Sequence, residues 1–554
     1  MPKMLPQKFH RQDAEIRRKW EISYFGYFIF RSLVLRLCVS AVILTFISCG
    51  SKPTDLRTVI PADALVYLEA NDLGKAIGAI TENNTFLQLA KRKPDLSALD
   101  GIKLAVAVTG FETREERITD ENSVLNFQPR FVAAVETNAW NFQTVSFTEN
   151  KIGEFINEVY GGSVELETSD RHGGKYFVWT SQDGRKAYAL VQGSVIFFGN
   201  DESAIEKCLV VKRGEAHNIS KNPKITIGDR LAFGYVSTDG IAQIANLAGI
   251  RLAIASSEEG EVKSFVARVL PEIIRKSVTD VAWTATQTQL GIEDSYDVGL
   301  DPAITKAANE TLTGKSFQQY DFADFVPLKF ASATRYNLPD PRTTWRSIVF
   351  TAQSQTDAVS GKLIAAFSGT VFEPYAIEDP ELFLGSIGER IMTVKLDMES
   401  ENAAAIANVK NAADIKKSIA KEIDFTKPPQ KDGDADVWKS EDGELAAAFL
   451  GDVVIVGDSE IVLKCLAAKS SGENMTKIER FKQFEITAAS AVTVANETDA
   501  AARIIEVLGE KKQENVPLEQ RSLTVTGFDK DGMHRVTLSD FGLMGSIIEQ
   551  FGKE

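Results

Sequence analysis

Short runs of apolar residues recur along the chain and predict β-strands. Leu65–Leu68, Leu104–Val108 and Phe131–Val135 each contain four or five apolar residues in succession, which is the length of a buried strand. Asp183-Gly184 and Asp442-Gly443 each lie between two such runs. Because Asp-Gly adopts the positive φ angles of a tight turn, each dipeptide predicts a β-hairpin.

Helical periodicity alternates with these strand signals. Asp201 is a plausible N-cap for a helix whose inner face carries Ala204, Ile205, Cys208 and Leu209. A longer amphipathic helix follows, with an apolar side made of Val262, Phe265, Val266, Val269, Ile273 and Ile274. Another helix, from Ala502 to Leu508, has an apolar stripe near the end of the chain. The combination predicts an α+β fold in which antiparallel hairpins pack against helices.

The pattern of the first half returns in the second half. Val178–Gly184 reappears as Val437–Gly443, and Gly193–Gly199 reappears as Gly451–Gly457. Shorter blocks follow in the same order, namely Lys207-Cys208-Leu209 with Lys464-Cys465-Leu466, Asn218–Lys221 with Asn474–Lys477, and Thr238-Asp239 with Thr498-Asp499. The nearly constant offset predicts an internal duplication that produces two related α+β domains.

Two weaker echoes extend this alignment towards the start of the chain. Arg130-Phe131-Val132 aligns with Arg390-Ile391-Met392 at the same offset. Ile60-Pro61 together with Asn71 aligns with Val326-Pro327 together with Asn337. We therefore expect the first domain to span residues 59–320 and the second to span residues 321–554.

The first 48 residues have the layout of an export signal. Basic residues precede the uncharged run Leu37–Ile47, and a small residue, Ser48, follows that run. Phe46-Ile47-Ser48-Cys49 resembles the lipobox of bacterial lipoproteins, with Phe46 at a position where Leu is usual. The resemblance implies cleavage after Ser48 and lipidation of Cys49.

An uncleaved membrane anchor is the alternative interpretation of this segment. It would run from Tyr24 to Cys49, but Arg31 and Arg36 interrupt it. The uncharged part is short of the roughly 20 residues that a membrane-spanning helix needs. The lipoprotein interpretation predicts a signal peptide over residues 1–48 and a lipidated cysteine with its tether over residues 49–58.

The residue after the cysteine bears on the destination of the protein. Lipoproteins that this segment resembles are mostly carried to the outer membrane when no Asp follows the cysteine, and here Gly50 follows it. We therefore expect the protein to be anchored in the cell envelope, in the outer membrane and facing the periplasm. Ile60–Leu68 also resembles exported bacterial proteins of unknown function, and that resemblance implies no activity.

Charge argues against a nucleic-acid partner. The chain has a net charge of −15, and residues 1–48 carry +5 of it, so the exported part carries −20. Nucleic-acid binding requires a basic stripe, which this acidic part does not provide. The expected partners are instead the membrane, through the lipid anchor, and an envelope protein or a small ligand.

Residues that could carry chemistry are sparse. His172, His217 and His534 are far apart in sequence, and no zinc motif, phosphate-binding glycine loop or nucleophile elbow is present. Asp432, Asp434 and Asp436 have the spacing that opens a calcium loop, but the glycine and the closing carboxylate of such a loop are missing, which favours a solvated loop. We therefore expect no catalytic residue, no metal site and no cofactor.

Two pairs of equivalent residues each allow two interpretations. Trp179 and Trp438 could form aromatic binding platforms, although core packing is favoured for a Trp on a hairpin strand. Cys208 and Cys465 could form a disulfide if their Cα atoms came within about 7 Å, although small buried side chains are favoured. The sequence thus predicts a non-catalytic binding or scaffold protein of the envelope, and a carrier of an apolar molecule or an enzyme of unrecognised type remain as alternatives.

Overall fold

The computed structural model describes residues 54–117, 123–225, 228–256, 261–312, 322–478, 489–509 and 520–549. Cys49, the predicted signal peptide and the first part of the predicted tether lie outside the described residues, and so does the expected domain boundary after residue 320. Within the described part, the protein has the predicted α+β character, with helices packed on antiparallel strands.

Twenty strands are present in the described residues, and they form one sheet. In the first half they are β1 (Val66–Ala70), β2 (Lys103–Arg117), β3 (Ser123–Glu136), β4 (Glu165–Arg171), β5 (Gly174–Thr180), β6 (Lys186–Gln192), β7 (Val195–Gly199), β8 (Ala232–Val236), β9 (Val278–Thr288) and β10 (Gly291–Leu300). In the second half they are β11 (Ser332–Asn337), β12 (Ile387–Lys395), β13 (Ala404–Val409), β14 (Gln430–Asp432), β15 (Ala435–Lys439), β16 (Leu445–Leu450), β17 (Val453–Asp458), β18 (Ala491–Asn496), β19 (Arg521–Asp529) and β20 (Gly532–Ser539).

The strands follow the same spatial order in the two halves. From its outer edge to the centre, the first half reads β4-β5-β6-β7-β3-β2-β1-β8-β9-β10. The second half reads β14-β15-β16-β17-β13-β12-β11-β18-β19-β20. The two series join where β10 pairs with β20, from Ile292 opposite Ser539 to Gly299 opposite Gly532. The sheet is therefore continuous across the centre of the molecule.

Fifteen α-helices of the described residues connect and cover these strands. They are α1 (Leu73–Thr81), α2 (Asn84–Leu89), α3 (Asn141–Phe147), α4 (Gly153–Val159), α5 (Glu202–Lys212), α6 (Thr238–Ser256), α7 (Glu261–Ser277), α8 (Pro302–Leu312), α9 (Pro341–Ser354), α10 (Ala358–Phe367), α11 (Pro380–Ser386), α12 (Ala412–Ser418), α13 (Ser459–Ser471), α14 (Thr498–Gly509) and α15 (Gly542–Glu549). None of the helices in the described part combines the length and the hydropathy that crossing a membrane requires.

The predicted hairpins and helix signals are confirmed. Gly184 and Gly443 adopt positive φ angles of 81° and 78° in the turns β5–β6 and β15–β16. Asp201 caps α5 by accepting a hydrogen bond from the backbone of Ser203, and the predicted inner face of α5 is buried. In α7, Phe265 and Val269 are buried as expected, but the prediction was wrong for Val266, which is 42% exposed.

Glycines at the ends of β7 and β17 allow these strands to lie close to β3 and β13. A Cβ atom on Gly199 would lie 2.3 Å from the carbonyl oxygen of Phe131, and one on Gly457 would lie 2.2 Å from that of Ala403. The register pairs Val132 with Gly199 and Ala404 with Gly457.

This register corrects one of the weaker sequence echoes. Arg390–Met392 lies on β12 and pairs with β11, whereas Arg130–Val132 lies in β3. The structural counterpart of Arg130–Val132 is therefore the segment that ends at Ala404. The other echo fits the strand order, because Pro61 forms an isolated bridge with Asn218 and Pro327 forms one with Asn474.

Helices from each half cover the other half at the centre. The backbone N–H of Arg92, after α2, donates to the carbonyl of Gly509 in α14, at 3.1 Å. Thr344 of α9 likewise donates to the carbonyl of Thr311 in α8, at 2.8 Å. A shared apolar core joins the first of these contacts, and it contains residues of α1, α2, α14 and α15 together with β9 and β10. The halves are thus joined by side chains as well as by the sheet.

Candidate functional site

The described chain begins beside a buried carboxylate. The backbone N–H of Thr54 donates to Oε2 of Glu136 at 3.1 Å, and that of Asn138 donates to Oε1 at 3.0 Å. Glu136 is only 1% exposed. Burial opposes its ionisation, but hydrogen bonds from Ser194, Thr54 and Asn138 outweigh burial and hold the pKa of Glu136 below its usual value. The ionised carboxylate therefore fixes the point where the segment from Cys49 reaches the folded body.

The next residues fasten the same segment to the first core. Asp55 accepts hydrogen bonds from the backbone N and from Nε of Arg57, at 3.1 Å and 3.0 Å. Leu56, Val59 and Ile60 are buried in a core that packs on β1, β2 and β3. Because these apolar side chains are inserted, the chain direction after Thr54 is set by packing as well as by hydrogen bonds.

A second buried carboxylate, Glu69 on β1, lies in the same region and is 7% exposed. It accepts from Arg230 at 2.9 Å and from the hydroxyl of Tyr67 at 2.7 Å, and Nε of Arg57 lies 3.8 Å from it. Burial and the charge of Glu69 raise the pKa of Tyr67, so the phenol remains a hydrogen-bond donor. Removing one partner of such a buried pair typically costs about 3–5 kcal/mol.

A small cavity of about 140 Å³ adjoins this cluster. It is lined by Asp55, Arg57 and Glu69 on one side and by Lys103–Ala105 of β2 on the other. Arg57 joins Asp55 and Glu69 in this lining, so the arrangement is suited to holding the chain in place. The position equivalent to Glu69 in the second half is occupied by Arg335, which is 3% exposed, so the two halves differ here.

The other residues singled out by the sequence lie apart from this site. Trp179 is 1% exposed and Trp438 is 8% exposed, each in an outer core of its own half, so core packing is confirmed. Cys208 and Cys465 are free and 0% exposed, in two different cores, so the disulfide alternative is wrong.

The three histidines and the acidic triplet are also separate. His172 lies in the β4–β5 turn, His217 precedes the Asn218 bridge, and His534 lies on β20. Asp432 and Asp434 are exposed at the β14–β15 turn, the structural counterpart of the His172 turn. Among the residues that the structure describes, no three His, Cys, Asp or Glu side chains are arranged to hold a metal ion.

Sequence reasoning missed Glu136 and Glu69 as structural carboxylates. Glu136 ends an apolar run and meets Thr54 across 82 positions of sequence, so no local pattern marks the contact. One usable signal was present, because a charged residue inside a strand of otherwise apolar residues, such as Glu69 in Val66–Ala70, requires a buried partner.

Comparisons with known proteins identify no family for this chain. No protein-family model matches the chain, and no curated protein matches it. Two solved structures, crystal forms IV and III of TP0453, are similar over 47% and 45% of this chain and over 86% and 80% of their own chains. Both are 11% identical in sequence, with TM-scores of 0.21 and 0.20, values too low to support an inference about fold or function.

Proposed function

We propose that this chain is a lipid-anchored protein of the cell envelope, held in the outer membrane and facing the periplasm, where it acts as a non-catalytic binding or scaffold module. The signal layout that ends at Cys49 supports the anchor. Thr54 is held by Glu136 only five residues after Cys49, which supports a body that lies close to its anchor.

We also propose that the two halves descend from an internal duplication. The repeated sequence blocks fall on equivalent elements, since Val178–Gly184 lies on β5 and its turn and Val437–Gly443 lies on β15 and its turn. The identical strand order of the halves supports the same origin. On this proposal each half kept its own two cores, and the edge strands β10 and β20 came to pair.

One observation carries the binding role. Fourteen large apolar side chains of the described residues are exposed, and half of them lie on the two helix pairs α6–α7 and α9–α10. We call these side chains the exposed helix set, and they are Ile244, Ile250, Val266, Leu270, Ile348, Phe350 and Val359. The two pairs meet where the rings of Phe265 and Phe367 are 5.6 Å apart. Concentrated exposed apolar side chains are typical of a surface that binds a partner protein.

The anchor is tested by labelling. Cys49→Ala should abolish incorporation of radiolabelled palmitate, because the acceptor sulfur is removed. Cys38→Ala is the matched control and should keep the label, since Cys38 belongs to the segment that is cleaved. Wild-type labelling of Cys49→Ala would exclude the lipoprotein proposal.

The binding role is tested by charge insertion. Phe350 is 71% exposed, so Phe350→Asp should leave folding intact and should remove any protein that co-purifies in stoichiometric amount from the detergent-solubilised envelope. Met398→Asp is the control. Met398 is 65% exposed, and it follows β12 at the strand end that pairs with Ser332, away from the end where Asn337 leads into α9. Equal co-purification with both variants would contradict a partner that binds the exposed helix set.

A further inference from the structure

Two aromatic side chains are exposed at the turn where β3 leads into α3, one in the turn itself and one in the first turn of the helix. Trp140 is 54% exposed and Phe142 is 70% exposed. Neither belongs to a core of the described residues. Trp140 also occupies the N-cap position of α3, where Ser, Thr, Asp or Asn would stabilise a helix better. Neither core packing nor capping therefore explains the pair.

The aromatic pair lies beside the place where the chain leaves for Cys49. Asn138 and Thr54 donate to the two oxygens of Glu136, so their amide nitrogens lie within roughly 8 Å of each other. Trp140 follows Asn138 by two residues. From Thr54, five residues lead back to Cys49, and a fully extended chain of that length spans at most roughly 18 Å. A lipid-anchored body is therefore held with this turn close to the membrane surface.

Hydrogen bonds order the backbone that carries the two rings. The backbone N–H of Trp140 donates to Oε1 of Gln143 at 3.1 Å, and the backbone N–H of Gln143 donates to the carbonyl of Trp140 at 2.9 Å. Thr137 donates through its hydroxyl to the carbonyl of Ser194 at 2.9 Å. Because the backbone is already ordered, burying the rings against a binding surface costs little backbone conformational entropy.

We propose that Trp140 and Phe142 insert into the headgroup region of the bilayer that holds Cys49, and that they orient the body on the membrane. The proposal rests on the lipid anchor proposed above. A lipid surface fits these side chains because Trp has an apolar ring with a polar N–H and concentrates at membrane interfaces. The acyl chains supply the affinity, so the aromatic pair adds a second contact that restricts rotation about the tether.

The test uses the mature chain coupled through Cys49 to vesicles of phosphatidylethanolamine and phosphatidylglycerol that contain a maleimide phospholipid. Coupling is selective because Cys208 and Cys465 are buried. Trp emission is then measured with phospholipid brominated near the headgroup end of its acyl chains. This assay is independent of lipidation in the cell, so a failed palmitate experiment and a failed insertion experiment are distinguishable.

The wild-type protein should lose emission on brominated vesicles, and Trp140→Phe should lose that quenchable fraction, because Trp179, Trp283 and Trp438 are buried and the half-buried Trp345 packs on Phe372 in the second half. Phe142→Ser should reduce the quenching. Met398→Ser is the control and should not reduce it, since Met398 is 65% exposed and follows β12, which is ten strand positions from β3, or roughly 48 Å along the sheet. Wild-type emission that bromine does not quench, or quenching that persists in Trp140→Phe, would overturn the proposal.

Discussion

At the scale of single residues, burial decides the chemistry of the two cysteines. Cys208 on α5 and Cys465 on α13 occupy equivalent positions and are both fully buried. Burial raises the pKa of each thiol to about 12. The reactive thiolate is therefore scarce near neutral pH, and access to it is blocked as well.

We expect both thiols to be inert in the native protein. In a mature form that carries Cys49→Ser, an aromatic disulfide reagent at about pH 8 should release no chromophore until denaturant is added, and should then report two thiols per chain. The single variants Cys208→Ala and Cys465→Ala serve as controls, each giving one thiol after unfolding. Rapid reaction of either thiol in the native state would show that the thiol is accessible to solvent and would contradict this prediction.

Sequence predicted single residues well where a local rule applied. Asp201 as an N-cap and Trp179 as a core residue follow from short-range patterns, and both were confirmed. Glu136 and Trp140 could not be found in this way. Their roles depend on Thr54, which is distant in sequence and is brought to Glu136 only by the completed sheet.

At the scale of elements, the junction of β10 and β20 carries a titratable group. His534 on β20 stands directly opposite Asp297 on β10, and its Nδ1 lies 2.6 Å from Oδ1 of Asp297. Its Nε2 lies 2.9 Å from Asp529 at the end of β19. Burial lowers the affinity of the imidazole for a proton, but the two carboxylates outweigh burial and raise the pKa of His534 above its usual value of 6.5.

The junction should consequently weaken as the pH rises through the raised pKa of His534. A raised folded-state pKa means that the stabilisation by protonated His534 is fully present below the unfolded-state pKa and is lost as the pH rises through the folded-state pKa. The urea midpoint should fall over that range in the wild-type protein and should stay flat in His534→Gln. Nuclear magnetic resonance of the His534 ring gives the pKa directly, and a value at or below 6.5 would contradict this prediction.

The pairing of β10 with β20 was beyond sequence reasoning. The hairpins β5–β6 and β15–β16 join neighbours in the chain through an Asp-Gly turn, so local signals sufficed. The junction instead pairs residues more than 230 positions apart, such as Asp297 with His534. Edge strands also look the same in sequence whether they face solvent or another strand, so two separate sheets were an equally good expectation.

At the scale of the whole molecule, the continuous sheet predicts that the two halves unfold as one cooperative unit. Separate cores would let one half unfold without the other, and the repeated sequence alone suggests that behaviour. The continuous sheet and the shared central core change the expectation, because unfolding either half would expose the apolar side chains of α1, α2, α14 and α15 together. Interfaces of this apolar kind couple the stability of the parts that they join.

Two equally buried phenylalanines separate these possibilities. Phe86 and Phe177 are both 0% exposed, but Phe86 lies in the shared central core, near Gly509, whereas Phe177 lies in the outer core of the first half. Replacing either by Ala should cost about 3–5 kcal/mol through the lost contacts and the cavity. Because the slowest amides exchange through global unfolding, hydrogen exchange at β17 in the second half reports whether that loss is transmitted.

Phe86→Ala touches both halves and should accelerate exchange at β17 in any case, which makes it the reference. If the molecule unfolds as one unit, Phe177→Ala should accelerate hydrogen exchange at β17 as much as it accelerates exchange at β6. Faster exchange at β6 with unchanged exchange at β17 would show instead that the halves unfold independently despite their common sheet.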